Sequence, residues 1–129
     1  MILLCDENIG IGVPDALKAV GYDAHSAVGM GWDGKPDVDW LAWAGGAGML
    51  VLSRDKKMLR LSRERQAIID NDVGIVFLTT GEEHSARVLL NMLRKWDALE
   101  SLNSFEPRPF AKFLSPNGRI SDSYRGLSL

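Results

Sequence analysis

The chain has 129 residues, 46% of them hydrophobic, and a formal net charge of −2. That length fits one domain with a sizeable core, and the charge balance excludes a globally basic nucleic-acid binder. One cysteine, Cys5, rules out an internal disulfide and points to a reduced compartment, while no apolar run approaches the ~20 residues of a membrane span.

Ile2 to Cys5 reads as a buried strand that stops abruptly at Asp6-Glu7-Asn8. A glycine-containing loop follows. Pro14 suits the first turn of a helix whose stripe is Ala16, Leu17 and Val20, with Gly21 as its cap. Tyr22 to Val28 is a weaker strand, and Gly29 to Pro36 a glycine-rich loop around Trp32, the tryptophan best placed to stack on a base. A short helix spans Asp37 to Ala44, turns Trp40, Leu41 and Ala44 inward and ends at Gly45-Gly46. Met49 to Leu52 is the next buried strand and stops at Ser53-Arg54-Asp55.

Lys56 to Asp70 reads as one basic amphipathic helix. Gly74 to Leu78 is a further strand, after which Thr80 and Glu83 suit a capping box for a helix from Glu82 to Leu102, with Leu89, Leu93, Trp96 and Leu99 near a helical period. Phe110 to Leu114 and Arg119 to Ser121 flank Pro116-Asn117-Gly118, a hairpin signal, and residues 122–129 read as a loose tail. Alternating strands and helices predict a single α/β domain, a three-layer sandwich around a mostly parallel sheet with a C-terminal β-hairpin.

In such sheets ligands bind beyond the carboxyl ends of the strands. Asp6, Asp37 and Asp55 are all expected at that edge. Three carboxylates aimed at one point suit a hard cation, Mg²⁺ or Mn²⁺, with Glu7 as a further ligand and Asp39 as a helper. No histidine or cysteine cluster supports zinc. Arg54, Lys56 and Lys57 open a cationic run, continued by Arg60, Arg63 and Arg65, that suits phosphate or RNA. Plainer roles stand beside these: Asp37 and Asp55 as helix caps, Lys56 as the ion-pair partner of Asp6, Cys5 as a small buried residue.

Asp37-Val-Asp-Trp-Leu-Ala-Trp-Ala44, then Gly-Met-Leu-Val-Leu-Ser-Arg-Asp55-Lys-Lys-Met58, resembles the PIN-like superfamily, the fold of the VapC-type toxin ribonucleases. That family has an aspartate opening a helix that ends in alanine, a strand, and a Thr/Ser-x-Asp turn, with Asp6 matching its first acidic residue. The resemblance covers roughly residues 1 to 80. The family's second acidic position, a glutamate in a longer helical segment, is missing here or replaced by Glu7. The resemblance implies a Mg²⁺- or Mn²⁺-dependent endoribonuclease acting through Asp6, Asp37 and Asp55. It also implies a homodimer and a cognate antitoxin protein; a cytoplasmic location is expected from the lack of a signal-peptide pattern and of a membrane span. Two other classes compete. In a phosphoacceptor receiver domain Asp55 would take the phosphoryl group, Thr79 or Thr80 would be the switch hydroxyl and Lys112 the phosphate-pairing lysine. A catalytically idle PIN-like binding module would cut nothing.

Overall fold

The computed structural model describes residues 1–80 and 84–122. Three apolar runs form strands buried along their whole length: β1 (Leu3–Cys5), β3 (Leu50–Ser53) and β4 (Gly74–Leu78). Such runs need cover on both faces, which is the signature of a central parallel sheet. The edge strand β2 (Ala24–Ser26) is shorter than the expected Tyr22–Val28. β5 (Phe110–Leu114) and β6 (Ile120–Asp122) form the expected antiparallel hairpin. The sheet order is β2-β1-β3-β4-β5-β6, parallel throughout except for β6.

Among the described residues four α-helices sandwich it: α1 (Gly12–Ala19), α2 (Asp37–Gly46), α3 (Ser62–Asp70) and α4 (Ser85–Phe105). Alternation along the strands sends Leu3, Cys5, Leu50, Leu52, Val76 and Leu78 toward α1 and α4. Leu4, Val51, Ile75, Phe77 and Phe113 face α2 and α3. Each fully buried side chain of this kind contributes about 1.5–3 kcal/mol.

The element boundaries correct several expectations. The basic segment is a 3-10 turn (Lys56–Leu59) followed by α3, not one helix. In a continuous helix Leu59 and Ile68 would point about 180° apart. Both are buried in the same core, so the chain breaks at Leu61. Val20 is 66% exposed, and α1 buries Val13, Pro14 and Leu17 instead. On α4 the buried stripe is Val88, Met92, Trp96 and Leu99, with Leu93 exposed. The Thr80–Glu83 capping box and the Glu82 start lie outside the described residues, as does most of the 122–129 tail. Trp32 packs on Trp43, ring centroids 5.5 Å apart, at the rim of the core. Cys5 is fully buried, and burial with the charge of Asp6 pushes its thiol up to about 12, so it stays protonated and inert.

Two features of the topology position the site. The chain runs outward from β1 to β2, then returns across to β3, so the strand order reverses between β1 and β3. That crevice is where doubly wound sheets bind ligands. The second feature is α4. The β3–α3–β4 and β4–α4–β5 crossovers advance in the same direction, yet their helices lie on opposite faces, so they have opposite hands. With α4 on the α1 face, the other face of β5 near Phe113 is left to the 3-10 turn Lys56–Leu59.

Candidate active site

Asp6 follows β1 directly, and its amide continues the ladder to the Leu52 carbonyl at 2.9 Å. This register sets its side chain beside Ser53, the last residue of β3. Asp6 is 4% exposed. One carboxylate oxygen, Oδ1, accepts from the Glu7 amide at 2.7 Å. The other, Oδ2, accepts from Ser53 Oγ at 2.8 Å and Asn8 Nδ2 at 3.1 Å. Ser53 Oγ also accepts from the Asp55 amide at 3.0 Å, so one buried hydroxyl ties Asp6 to the turn carrying Asp55. Asn8 Oδ1 accepts from the Arg54 amide at 3.0 Å and joins the two loops a second time.

Burial is the main reason the Asp6 carboxyl is pushed up to about 6, and the charge of Asp37 adds to it. The Ser53 and Glu7-amide hydrogen bonds pull the other way. Glu7 is exposed, and its charge pushes Asp6 less than Asp37 does. Asp37 opens α2, but Pro36 is the cap; the Asp37 Oδ1 accepts from Trp40 Nε1 at 3.0 Å instead. Its carboxyl is also raised, by burial first, then by the charges of Asp55 and Glu64, against the Trp40 bond. The charge of Asp37 thus raises Asp6, and the charges of Asp55 and Glu64 raise Asp37.

Asp55 does cap the 3-10 turn, accepting from the Lys57 amide at 3.2 Å. Lys56 is not the partner of Asp6, since its Nζ donates to the Thr79 carbonyl at 2.7 Å. Asp39 lies in a separate groove between α2 and α3 with Arg63 and Asp70. The sequence pattern includes Ser53 as the serine of the Ser-x-Asp turn but does not mark Asn8 or Glu64. Glu64 carries one signal, an acidic residue in the first turn of a helix beside a cation run; Asn8 looks like an ordinary turn residue.

Among the described residues, no three His, Cys, Asp or Glu side chains are grouped closely enough to hold one metal ion between them. The carboxylates share a field, not a closed cage. Such a donor set fits Mg²⁺ or Mn²⁺ held by one or two carboxylates with water completing the shell, the usual habit of Mg²⁺.

On the α2–α3 side of Asp55 lies a cavity of about 390 Å³, lined by Arg54, Lys56, Lys57, Arg60 and Phe113 among others. Arg54 Nε donates to the Asn8 carbonyl at 3.1 Å, so Arg54 and Lys56 brace loops while adding positive charge. Lys57 and Arg60 are solvent-exposed. An acidic edge and a cationic cavity thus meet at Asp55. Lys112 lies mid-strand, paired in register with Val76, and binds Glu106 at 3.1 Å and also Asp122. It is engaged away from Asp55, where a receiver's lysine would be needed.

The family model described as "PIN like domain" matches residues 1–80. The chain belongs to the PIN-like domain family. The matched segment contains Asp6, Asp37, Asp55 and the Arg54–Lys57 run, and the PIN-like fold is a nuclease fold. No curated protein and no solved structure matches the chain. Among the described residues of this PIN-like domain, no helix is long and apolar enough to cross a membrane.

Loss of the Ser53 hydroxyl is expected to be costly and pH-dependent. Ser53→Ala leaves Asp6 short of a donor and the Asp55 amide without its acceptor, a loss of about 2 kcal/mol. Because the Ser53 bond lowers the Asp6 pKa, its removal raises that pKa further. The destabilisation, read by urea unfolding, should be greater at pH 8 than at pH 4.

Proposed function

We propose that this PIN-like domain is a metal-dependent endoribonuclease that cuts RNA at the β1–β3 crevice. The observation that carries the reading is the buried Asp6 carboxylate at the carboxyl end of β1, tied through the Ser53 hydroxyl to the turn that carries Asp55, with the charge of Asp37 raising Asp6 further. Such mutual repulsion, left unneutralised, is a cost that a bound cation removes. Asp6 and Asp37 would hold Mg²⁺ or Mn²⁺, with Asp55 and Glu7 nearby. The ion, when bound, supplies Lewis acidity to the phosphodiester and acidifies a water.

The chain's own groups do the rest. Ser53 and Asn8 orient the Asp6 carboxylate, and the Trp40 indole fixes that of Asp37. Lys57 and Arg60, with the positive field of Arg54 and Lys56, attract the RNA phosphates toward Asp55. The finer reading follows the resemblance of the Asp37–Asp55 segment to VapC-type toxins: a cytoplasmic homodimeric toxin restrained by a cognate antitoxin.

The test is cleavage of labelled single-stranded RNA by the full chain. Wild type should cut with Mg²⁺ or Mn²⁺ and stop in EDTA. Asp37→Asn and Asp55→Asn should lose on the order of 100-fold or more in rate while keeping the native circular dichroism spectrum. Variants that cut as fast as wild type would remove Asp37 and Asp55 from the site. A wild type that binds RNA but never cuts it would make the domain an idle binding module.

A further inference from the structure

α4 carries cations that the proposed cleavage site does not use, beyond the matched residues 1–80. Arg87, Asn91, Arg94 and Lys95 are spaced i, i+4, i+7 and i+8, so they share one face of the helix. That face meets the turn between β5 and β6. Asn91 is 5% exposed, and its Nδ2 donates to the Ser115 carbonyl at 2.9 Å, pinning the turn to the helix. Gly118 in that turn has φ +86°, and a Cβ there would sit 2.5 Å from Lys95 Cε. Glycine is what lets the lysine stem lie against the turn.

Between helix and turn is a cavity of about 80 Å³, lined by Arg87, Asn91, Arg94, Lys95 and Asn117 among others. No carboxylate among the described residues lines it. Among the described residues none of its three cations forms a salt bridge. In a chain with net charge −2, three unpaired cations on a preformed rim are an anion site in waiting. The small space suits one tetrahedral oxyanion better than a nucleoside.

We infer that this pocket holds a backbone phosphate of single-stranded RNA away from the scissile bond. The identity of the phosphate's carrier rests on the ribonuclease reading. The pocket's turn starts at Ser115, directly after β5, at the same carboxyl edge of the sheet as Asp6 and Asp55. From β1 across β3 and β4 to β5 is three strand spacings, about 14 Å. An extended strand lying along that edge reaches α4 within a few nucleotides. Direct charge contact there would set affinity and register, without touching the reacting phosphate.

The experiment is fluorescence anisotropy of a labelled single-stranded RNA with the full chain, in EDTA so that nothing is cut. Arg94→Glu should weaken binding roughly tenfold. Lys95→Gln should weaken it less and reduce the slope of log affinity against log salt by about 0.7. Lys18→Gln, an exposed cation on α1, is the control and should change neither. Inorganic phosphate, titrated separately, should shift the Asn117 and Gly118 amide resonances in wild type and not in Arg94→Glu. Unchanged RNA affinity and slope in both variants would overturn the inference, and unchanged RNA affinity with intact phosphate shifts would overturn its RNA assignment. Wild type that does not bind RNA would overturn this pocket's role, and the ribonuclease reading would then rest on the cleavage assay with Mg²⁺ or Mn²⁺ alone. Binding that depends on Arg94 in a protein that never cuts RNA would sustain the pocket and sink only the cleavage reading.

Discussion

Asp6→Asn is expected to abolish metal-dependent RNA cleavage and, in EDTA at pH 8, to make the protein more stable than wild type. The two effects have one cause. The Asp6 carboxyl titrates near 6 in the folded protein against 3.8 for an ordinary aspartate. The folded state therefore binds this proton more tightly than the unfolded chain. The associated stability is fully present below about pH 4 and is lost as pH rises through 6. At pH 8 the ionised group costs the fold up to about 3 kcal/mol. Asparagine keeps the shape and stays neutral beside Asp37 and Glu7. The raised pKa already includes the opposing hydrogen bonds from Ser53 and the Glu7 amide, so the net gain is up to about 3 kcal/mol. Urea unfolding in EDTA should show that gain at pH 8 and its disappearance near pH 4. Cleavage, which needs the ionised carboxylate, should fall by at least about 100-fold. A variant destabilised at pH 8 would mean that Asp6 is a structural anion held by its three donors.

Gly45→Ala should be the most damaging single-methyl change on α2, and Gly46→Ala should have the opposite sign. The sequence pair Gly45-Gly46 suggests a helix stop, yet both residues are helical, and the left-handed residue that follows is Gly48, φ +69°. A Cβ on Gly45 would come 2.2 Å from the Asn71 carbonyl oxygen and 3.0 Å from Val73 Cγ2. Backbone has to move, at a cost of about 3 kcal/mol, against which alanine's better helix propensity returns about 1. The net loss of about 2 kcal/mol corresponds to roughly 5–10 °C in Tm. A Cβ on Gly46 meets nothing within 4 Å, so that variant should gain a few tenths of a kcal/mol. Thermal unfolding of both variants checks the pair. Asp37 is carried by this helix, so Gly45→Ala should also shift the Asp37 carboxyl resonance.

What the sequence made legible was the work of abrupt transitions. Leu3-Leu4-Cys5 ending in Asp6 and Leu50-Val51-Leu52 ending in Ser53-Arg54-Asp55 mark strand ends, because a fully buried strand has no other place for charge. The parallel sheet follows from that, and the hairpin from Pro116-Asn117-Gly118. Three things were not legible. The Ser53 and Asn8 bonds depend on β1 and β3 being register neighbours, a long-range fact. The break at Leu61 depends on Leu59 and Ile68 sharing a core, which no local period reveals. The face chosen by α4 is set by packing of Val88, Met92 and Trp96 against the α1 side; its sequence is amphipathic either way. That choice leaves Phe113 beside the cationic cavity, so a functional feature hangs on an unreadable one.

The most direct measurement is Mn²⁺ titration into the ¹⁵N-labelled protein, followed by paramagnetic broadening of amide resonances. Shared carboxylates predict that the segments around Asp6, Asp37 and Asp55 broaden together at the lowest Mn²⁺ concentrations, and that Asp37→Asn weakens all three at once. Broadening that begins elsewhere on the surface, or that leaves these three segments independent of one another, would contradict a common ion at the β1–β3 crevice.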